Sequence, residues 1–206
     1  MTTTAIIGLG HMGKGLAKRL VGKTDLILVS RDTGAANAFA ATLPAGVTVL
    51  DRDAAIARAD IVILALPFGQ ALEAAGHAGL AGKVILDISN PVKPDFSGLI
   101  IGHTTSAAEE LQAAAPGAKV VKAFNTIFAS LFAAPRDNTA NVPVFLAGED
   151  AALEKVETLV KNAGFAVEKT GTLDAARLLE PLGMLNIRFG YGLGRGTSIA
   201  PAWLSL

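Results

Sequence analysis

Short unbroken runs of apolar residues alternate along the chain with segments in which apolar side chains return every three or four positions. TTAIIG at 3–8, DLILVS at 25–30, DIVILALP at 60–67 and KVILDIS at 83–89 lack the strict apolar–polar alternation of a half-exposed strand. Runs of that kind predict strands covered on both faces, as in a parallel sheet flanked by helices. GVTVL at 46–50 predicts a shorter strand and KVVKAF at 119–124 a sixth. After the first strand, Leu16, Ala17 and Leu20 form the apolar stripe of a helix, with Lys14, Lys18 and Arg19 expected to face solvent. TGAANAFAATL at 33–43 predicts an alanine-rich helix. Ser106 and Glu109 form a capping box for a helix before the sixth strand, the hydroxyl taking one orphan N–H and the carboxylate returning to another.

Beyond residue 140 the pattern is less regular. VPVFLAG at 142–148 and FAVEKT at 165–170 predict strands on either side of a helix from about Ala151 to Asn162. From Thr172 the chain is helical and apolar, with breaks expected at Pro181 and at the glycine cluster FGYGLGRG, 189–196. The expected fold is α/β: a Rossmann-like doubly wound parallel sheet over residues 1–171, then a C-terminal helical segment over 172–206.

Composition narrows the partners. Hydrophobic residues make up 51% of the 206 and charged residues 17%, yet no charge-free run approaches the roughly 18 residues that a spanning helix needs. Lys plus Arg balances Asp plus Glu at 18 each, so there is no basic field for nucleic acid, and a small-molecule partner is favoured. The absence of cysteine excludes disulfides, thiolate metal sites and cysteine nucleophiles. The first basic residue is Lys14, too late for the charged start of a signal peptide. No membrane partner and a cytoplasmic location are expected.

Chemistry enters with G-L-G-H-M-G, residues 8–13, directly after a strand and directly before a helix. That is the placement of a dinucleotide-binding fingerprint. Gly8 permits the tight turn, Gly10 admits a pyrophosphate to the backbone, and Gly13 brings helix and strand close, while helix N–H groups face the phosphates. NAD sites place a carboxylate at the end of the second strand to accept from the ribose, but here Ser30 and Arg31 occupy that place. A guanidinium and a hydroxyl suit a 2′-phosphate, which points to NADP; Asp32 follows one residue later.

Ligands of parallel sheets bind outside the C-terminal ends of the strands. Leu66-Pro67-Phe68, Ser89-Asn90-Pro91 and Phe124-Asn125-Thr126 stand at those ends. Pro67 and Pro91 stop their strands and leave backbone groups for the nicotinamide end, and Asn90 and Asn125 are candidates for bonds to ribose or carboxamide. Proton donors are scarce. His11 sits in the glycine turn, His77 and His103 lie in loops, and Tyr191 has Arg195 where short-chain dehydrogenases have a lysine. Lys122 is the remaining candidate acid, although its expected orientation is toward solvent. Such an inventory suits hydride transfer to an acceptor that needs no protein acid, such as a flavin or deazaflavin. Reduction of a small carbonyl or imine, and a non-catalytic NADP sensor, stay open as alternatives.

GLGHMGKGLAKRL, VSR, DISNPV, KAFNT, FLAGED and LLEPLGMLNIRFGYG together resemble the NADPH-dependent oxidoreductases of the deazaflavin coenzyme F420 and the reductase domain of six-span metalloreductases. The resemblance runs over nearly the whole chain. It implies NADPH lying across the strand ends and hydride exchanged face to face with a flavin-like ring. It further implies that Gly8, Leu9, Gly10, His11, Met12 and Gly13 cradle the pyrophosphate, and that Ser30 and Arg31 hold the 2′-phosphate. Leu66, Pro67, Asn90, Ala123, Phe124 and Asn125 then line the nicotinamide side. Pairing of two copies through the C-terminal region, beside the acceptor site, is also implied. The opening is similar as well to 3-hydroxyisobutyrate and 6-phosphogluconate dehydrogenases, but too little chain follows the last strand to build their helical substrate domain.

Overall fold

A computed structural model of the chain describes residues 1–44 and 46–204, so Ser205 and Leu206 of the predicted C-terminal segment lie outside the described residues. Six parallel strands form the main sheet: β1 (Thr3–Ile7), β2 (Asp25–Val29), β3 (Val47–Val49), β4 (Ile61–Leu64), β5 (Val84–Asp87) and β6 (Lys119–Lys122). Their order across the sheet is β3-β2-β1-β4-β5-β6, so the first three strands are added toward one edge from β1 and the last three toward the other. Helices α1 (His11–Leu20), α2 (Thr33–Ala40), α3 (Arg52–Arg58), α4 (Phe68–Ala75) and α5 (Ala107–Ala114) make the crossovers. This is the doubly wound Rossmann-like fold, and the switch between β1 and β4 opens a crevice at the strand ends.

Alternate residues of each strand feed two separate cores, which is why the runs are apolar throughout. Ile6, Leu28, Ile63 and Leu86 pack with Leu16 and Leu20 of α1 on one face. Ala5, Ile27, Val62 and Ile85 pack with α3, α4 and α5 on the other.

The C-terminal third hangs on the β6 edge. A short helix α6 (Arg136–Thr139) leads to β7 (Pro143–Leu146), α7 (Asp150–Asn162) and β8 (Ala166–Lys169). β7 and β8 form a second, two-stranded parallel sheet, joined to the first by one antiparallel bridge between Lys122 and Ala147. The final helix α8 (Ala176–Ile187) runs through Pro181 without the expected break and continues as one wider turn over Arg188–Gly192. Tertiary bonds hold it on both sides of the proline: Asn125 Nδ2 donates to the Leu179 carbonyl (2.7 Å) and Asn186 Nδ2 to the Thr126 carbonyl (3.0 Å). Packing outweighs local propensity there.

Arg19 also departs from expectation. It is buried, and its guanidinium donates to the carbonyls of Leu131, Phe132, Ala134 and Ala163 and to Thr139 Oγ1 at 2.7–3.3 Å. A planar fork with five donors can satisfy a cluster of inward carbonyls that no lysine could reach together. Arg19 thereby ties α1 to the segment that leads out of β6.

Candidate active site

The phosphate loop is built by its glycines. Gly8 has φ +102°, and a Cβ on it would stand 2.4 Å from the Ala65 carbonyl oxygen. A Cβ on Gly13 would stand 1.9 Å from the Gly8 carbonyl oxygen, so the close packing of α1 on the turn requires its absence. Gly10 differs, because a Cβ there would meet no protein atom within 4 Å. Nothing among the described residues demands that glycine, and the open space in front of it has room for a ligand. Gly10 also caps α1 without a side-chain bond, and the first turn carries no acid. The N–H groups of that turn are free to meet an anion, with the helix dipole behind them.

At the end of β2, Asp32 turns its carboxylate into the start of α2, where Oδ1 accepts from the Ala35 N–H at 2.8 Å. Ser30 Oγ accepts from the Asp32 N–H at 3.3 Å. Arg31 is exposed and makes no ion pair among the described residues. The capping bond accounts for the acid that follows Arg31: it starts a helix.

A cavity of about 270 Å³ lies at the ends of β5 and β6 and reaches the phosphate loop through His11 and Met12. Asn90, Phe124, Asn125 and Thr126 line it, and α8 closes it from the far side with Gly183 and Asn186. Asn90 Nδ2 donates to the Asn125 carbonyl (2.6 Å), and Asn125 Nδ2 donates to Asn90 Oδ1 (3.0 Å). Gly183 backs onto this pair so closely that a Cβ would stand 2.7 Å from Asn90 Oδ1. Among the described residues, three buried oxygens at the strand ends have no protein partner: Ser89 Oγ, Asn125 Oδ1 and Thr126 Oγ1. Buried polar atoms without partners are uncommon, and two of the three belong to residues that line the cavity, Asn125 and Thr126.

The predicted site residues separate into groups. Gly8 to Gly13, Asn90, Phe124 and Asn125 surround the loop and the cavity, while Ser30 and Arg31 stand at the β2 end. Leu66 packs beside Gly8, and Pro67 starts α4, both outside the cavity lining. Ala123 is fully buried in the core.

Lys122 overturns the expectation of a solvent-facing acid. Its side chain is fully buried, and Nζ contacts Asp87 Oδ2 at 2.6 Å, Glu180 Oε1 at 2.8 Å and the Ser89 carbonyl at 2.8 Å. Three acceptors saturate the ammonium, and it does not line the cavity. Glu180 in turn accepts from the N–H groups of Ala107 (2.9 Å) and Ala108 (3.2 Å). The capping box is modified accordingly: Ser106 Oγ takes the Glu109 N–H, while the Glu109 carboxylate pairs with the Ser106 hydroxyl and the Arg177 guanidinium. Bonding to Arg177 first, and then to Ser106, holds the Glu109 carboxyl below its ordinary range. Asp87 and Glu180 escaped notice in the sequence; each is a lone acid within an apolar run, and that is the signal they carry.

A larger groove, about 720 Å³, lies between the second sheet and α8, walled by Phe145, Leu179, Leu182 and Trp203. It touches neither the phosphate loop nor the ends of the main sheet, and we do not assign the chemistry to it.

The family described as NADP oxidoreductase, coenzyme F420-dependent, matches residues 3–91. An Arthrobacter sp. FB24 protein assigned as an F420-dependent NADP reductase has a solved structure 33% identical to the chain, with a TM-score of 0.81. The match covers 96% of this chain and 97% of that one. The chain belongs to the coenzyme F420-dependent NADP oxidoreductase family. It is an NADP-dependent oxidoreductase. Metalloreductase STEAP3 of Rattus norvegicus is 32% identical over 183 residues, 86% of this chain. The chain spans 35% of the length of that relative. An imine reductase from Aspergillus terreus, 21% identical with a TM-score of 0.70 over 94% of this chain and 63% of that one, shares the fold. Within the family match lie the phosphate loop, Arg31 and Asn90, whereas Phe124, Asn125 and α8 lie beyond it. Among the described residues no helix is long and apolar enough to cross a membrane.

Proposed function

We propose that the chain transfers a hydride between NADPH and a deazaflavin or flavin ring in the cytoplasm. The observation that carries this reading is the lining of the 270 Å³ cavity, which joins the phosphate loop and is largely apolar and aromatic. Its titratable side chains, among the described residues, are His11 and Tyr191, both exposed. Carbonyl reduction asks for an acid held beside the hydride. A ring acceptor asks for apposition and exclusion of water, because the heterocycle accommodates the charge. When bound, the nicotinamide supplies the hydride. The chain's own part is to hold and orient: the Gly8–Gly13 turn and the N-terminus of α1 take the pyrophosphate, Ser30 and Arg31 take the 2′-phosphate, and Asn125 Oδ1 with Thr126 Oγ1 offers an acceptor and a donor to the carboxamide.

We also propose that two copies pair through α8. Leu178, Leu182, Leu185 and Phe189 recur at four, three and four residues, the spacing of a helix–helix seam. Leu178 is 74% exposed and Trp203 75%, more apolar surface than a lone chain ordinarily shows in one place.

The deciding experiment is turnover of NADPH, followed by nicotinamide absorbance, against 8-hydroxy-5-deazaflavin, FMN, FAD, a small ketone and a small imine. Oxidation by the ring compounds is expected. Oxidation by the ketone or imine alone overturns the reading.

A further inference from the structure

Two large aromatic side chains stand exposed at the mouth of the cavity, and the fold gains nothing from exposing either. Phe96 is 62% exposed and Tyr191 68%, yet both line the cavity. Phe96 sits at the tip of the loop closed by the Val92–Leu99 bridge, where its N–H donates to the Lys93 carbonyl at 2.9 Å. Its φ is +58°, a left-handed conformation that a bulky side chain rarely adopts. Strain of this kind persists where the surroundings or a function require it. Asn or Gly would take that backbone without strain, and the chain places a phenylalanine there. Tyr191 lies on the wide turn after α8, its ring edge-on to Phe128 at 5.5 Å and 87°. Gly190 lets the turn press onto that ring, since a Cβ would stand 2.6 Å from Phe128 Cζ.

The cavity alone is small for a fused-ring ligand, because pockets for drug-sized molecules begin at about 300 Å³. A multi-ring acceptor therefore extends past the mouth, onto the surface that Phe96 and Tyr191 supply. We propose that Phe96 and Tyr191 are specificity-determining residues that form the two sides of an acceptor slot, with Phe96 offering its face to a planar fused heterocycle. The proposal rests on the hydride-transfer reading above and adds the residues that select the acceptor. The strained loop tip holds Phe96 in place, and Tyr191 is braced by Phe128. A small carbonyl or imine would lie wholly within the cavity and gain nothing from either ring.

Binding, not only turnover, tests this. Quenching of FMN and 8-hydroxy-5-deazaflavin fluorescence is titrated on wild type, Phe96→Gly, Phe96→Trp and Tyr191→Ala with saturating NADP present. Stacking of one ring on one aromatic side chain is worth a loss of roughly 10-fold when the side chain is removed. Phe96→Gly is expected to weaken ring binding by about that factor, leave the NADPH dissociation constant unchanged, and hold or raise the thermal midpoint because glycine accepts the left-handed backbone. Phe96→Trp is expected to retain binding, and Tyr191→Ala to weaken it without changing NADPH affinity. Unchanged ring affinity in Phe96→Gly and Tyr191→Ala overturns the proposal, as does an equal loss of NADPH affinity. Failure of wild type to bind either ring overturns the hydride-transfer reading itself, a result separate from the comparison of variants.

Discussion

Replacing Lys122 by methionine tests the buried triad directly. The substitution keeps an unbranched side chain of similar reach and removes an ammonium that sits between Asp87 and Glu180 at 2.6 and 2.8 Å with all three side chains fully or almost fully buried. Removing one partner of a buried pair costs about 3–5 kcal/mol, because the remaining charge cannot return to water. Here the two carboxylates keep other donors: Asp87 keeps the Ser89 N–H at 2.8 Å, and Glu180 keeps the N–H groups of Ala107 and Ala108 at the N-terminus of α5. Those donors and the helix dipole place Lys122→Met toward the lower end, about 3 kcal/mol. Glu180→Gln leaves Lys122 paired with Asp87 but keeps only one of the two oxygens that accept from the Ala107 and Ala108 N–H groups, so its expected cost is about 1–2 kcal/mol. Urea unfolding followed by circular dichroism measures both against wild type. A Lys122→Met loss under about 1 kcal/mol, or a Glu180→Gln loss exceeding it, would refute the argument that the ammonium is the keystone of the three.

The same variant separates support from catalysis. Lys122 binds the Ser89 carbonyl and, through Glu180, anchors α8 over the Asn90–Asn125 pair, but it does not reach the cavity. If it supports the site and donates no proton, Lys122→Met lowers turnover while the pH profile of the remaining activity keeps its wild-type shape. Loss of an alkaline limb in that profile would restore Lys122 as an acid.

Three further outcomes are expected. Arg31→Ala weakens NADPH binding about 10-fold or more and leaves NADH binding unchanged, from the loss of a charge-assisted phosphate contact worth about 1.5 kcal/mol or more at this exposed position; equal losses for the two nucleotides would sink the 2′-phosphate assignment. Gly10→Ala leaves the thermal midpoint of the free protein unchanged and abolishes dinucleotide binding, whereas Gly13→Ala, with its Cβ 1.9 Å from the Gly8 carbonyl, lowers the midpoint as well; identical behaviour of the two would reduce the motif to a turn. Light scattering is expected to give about twice the 21.0 kDa chain mass, and Leu178→Lys with Leu185→Glu to return it to one; a wild-type mass of one chain across micromolar concentrations would exclude pairing.

What could be read in the sequence was whatever local chemistry dictates. The four inner strands, β1, β2, β4 and β5, announced themselves because both faces of each are covered, leaving few polar positions to confuse the pattern. The phosphate loop was legible for a similar reason: its demands fall on backbone space, and only glycine meets them at Gly8 and Gly13. Pairing of β7 with β8 in a sheet of their own was not legible, because two short apolar runs carry no mark of which edge they join.

Charged residues misled, and they did so in one direction. Lysine and arginine are placed outside by default because an isolated ammonium or guanidinium is expensive to bury. Arg19 and Lys122 are inside because each meets partners far away in the chain: Arg19 finds four carbonyls and a hydroxyl beyond residue 130, and Lys122 finds Glu180 on the last helix. Neither partner set can be identified until the fold has closed. Lys122 and Glu180 draw α8 against the ends of β5 and β6, and α8 carries Gly183 and Asn186 into the cavity wall. Pro181 interrupts nothing because the helix around it is held by Asn125 and by this buried charge. The phosphate half of the site is therefore written in one short stretch of chain. The cavity half is assembled by a helix whose position depends on a salt bridge between residues that no local pattern connects.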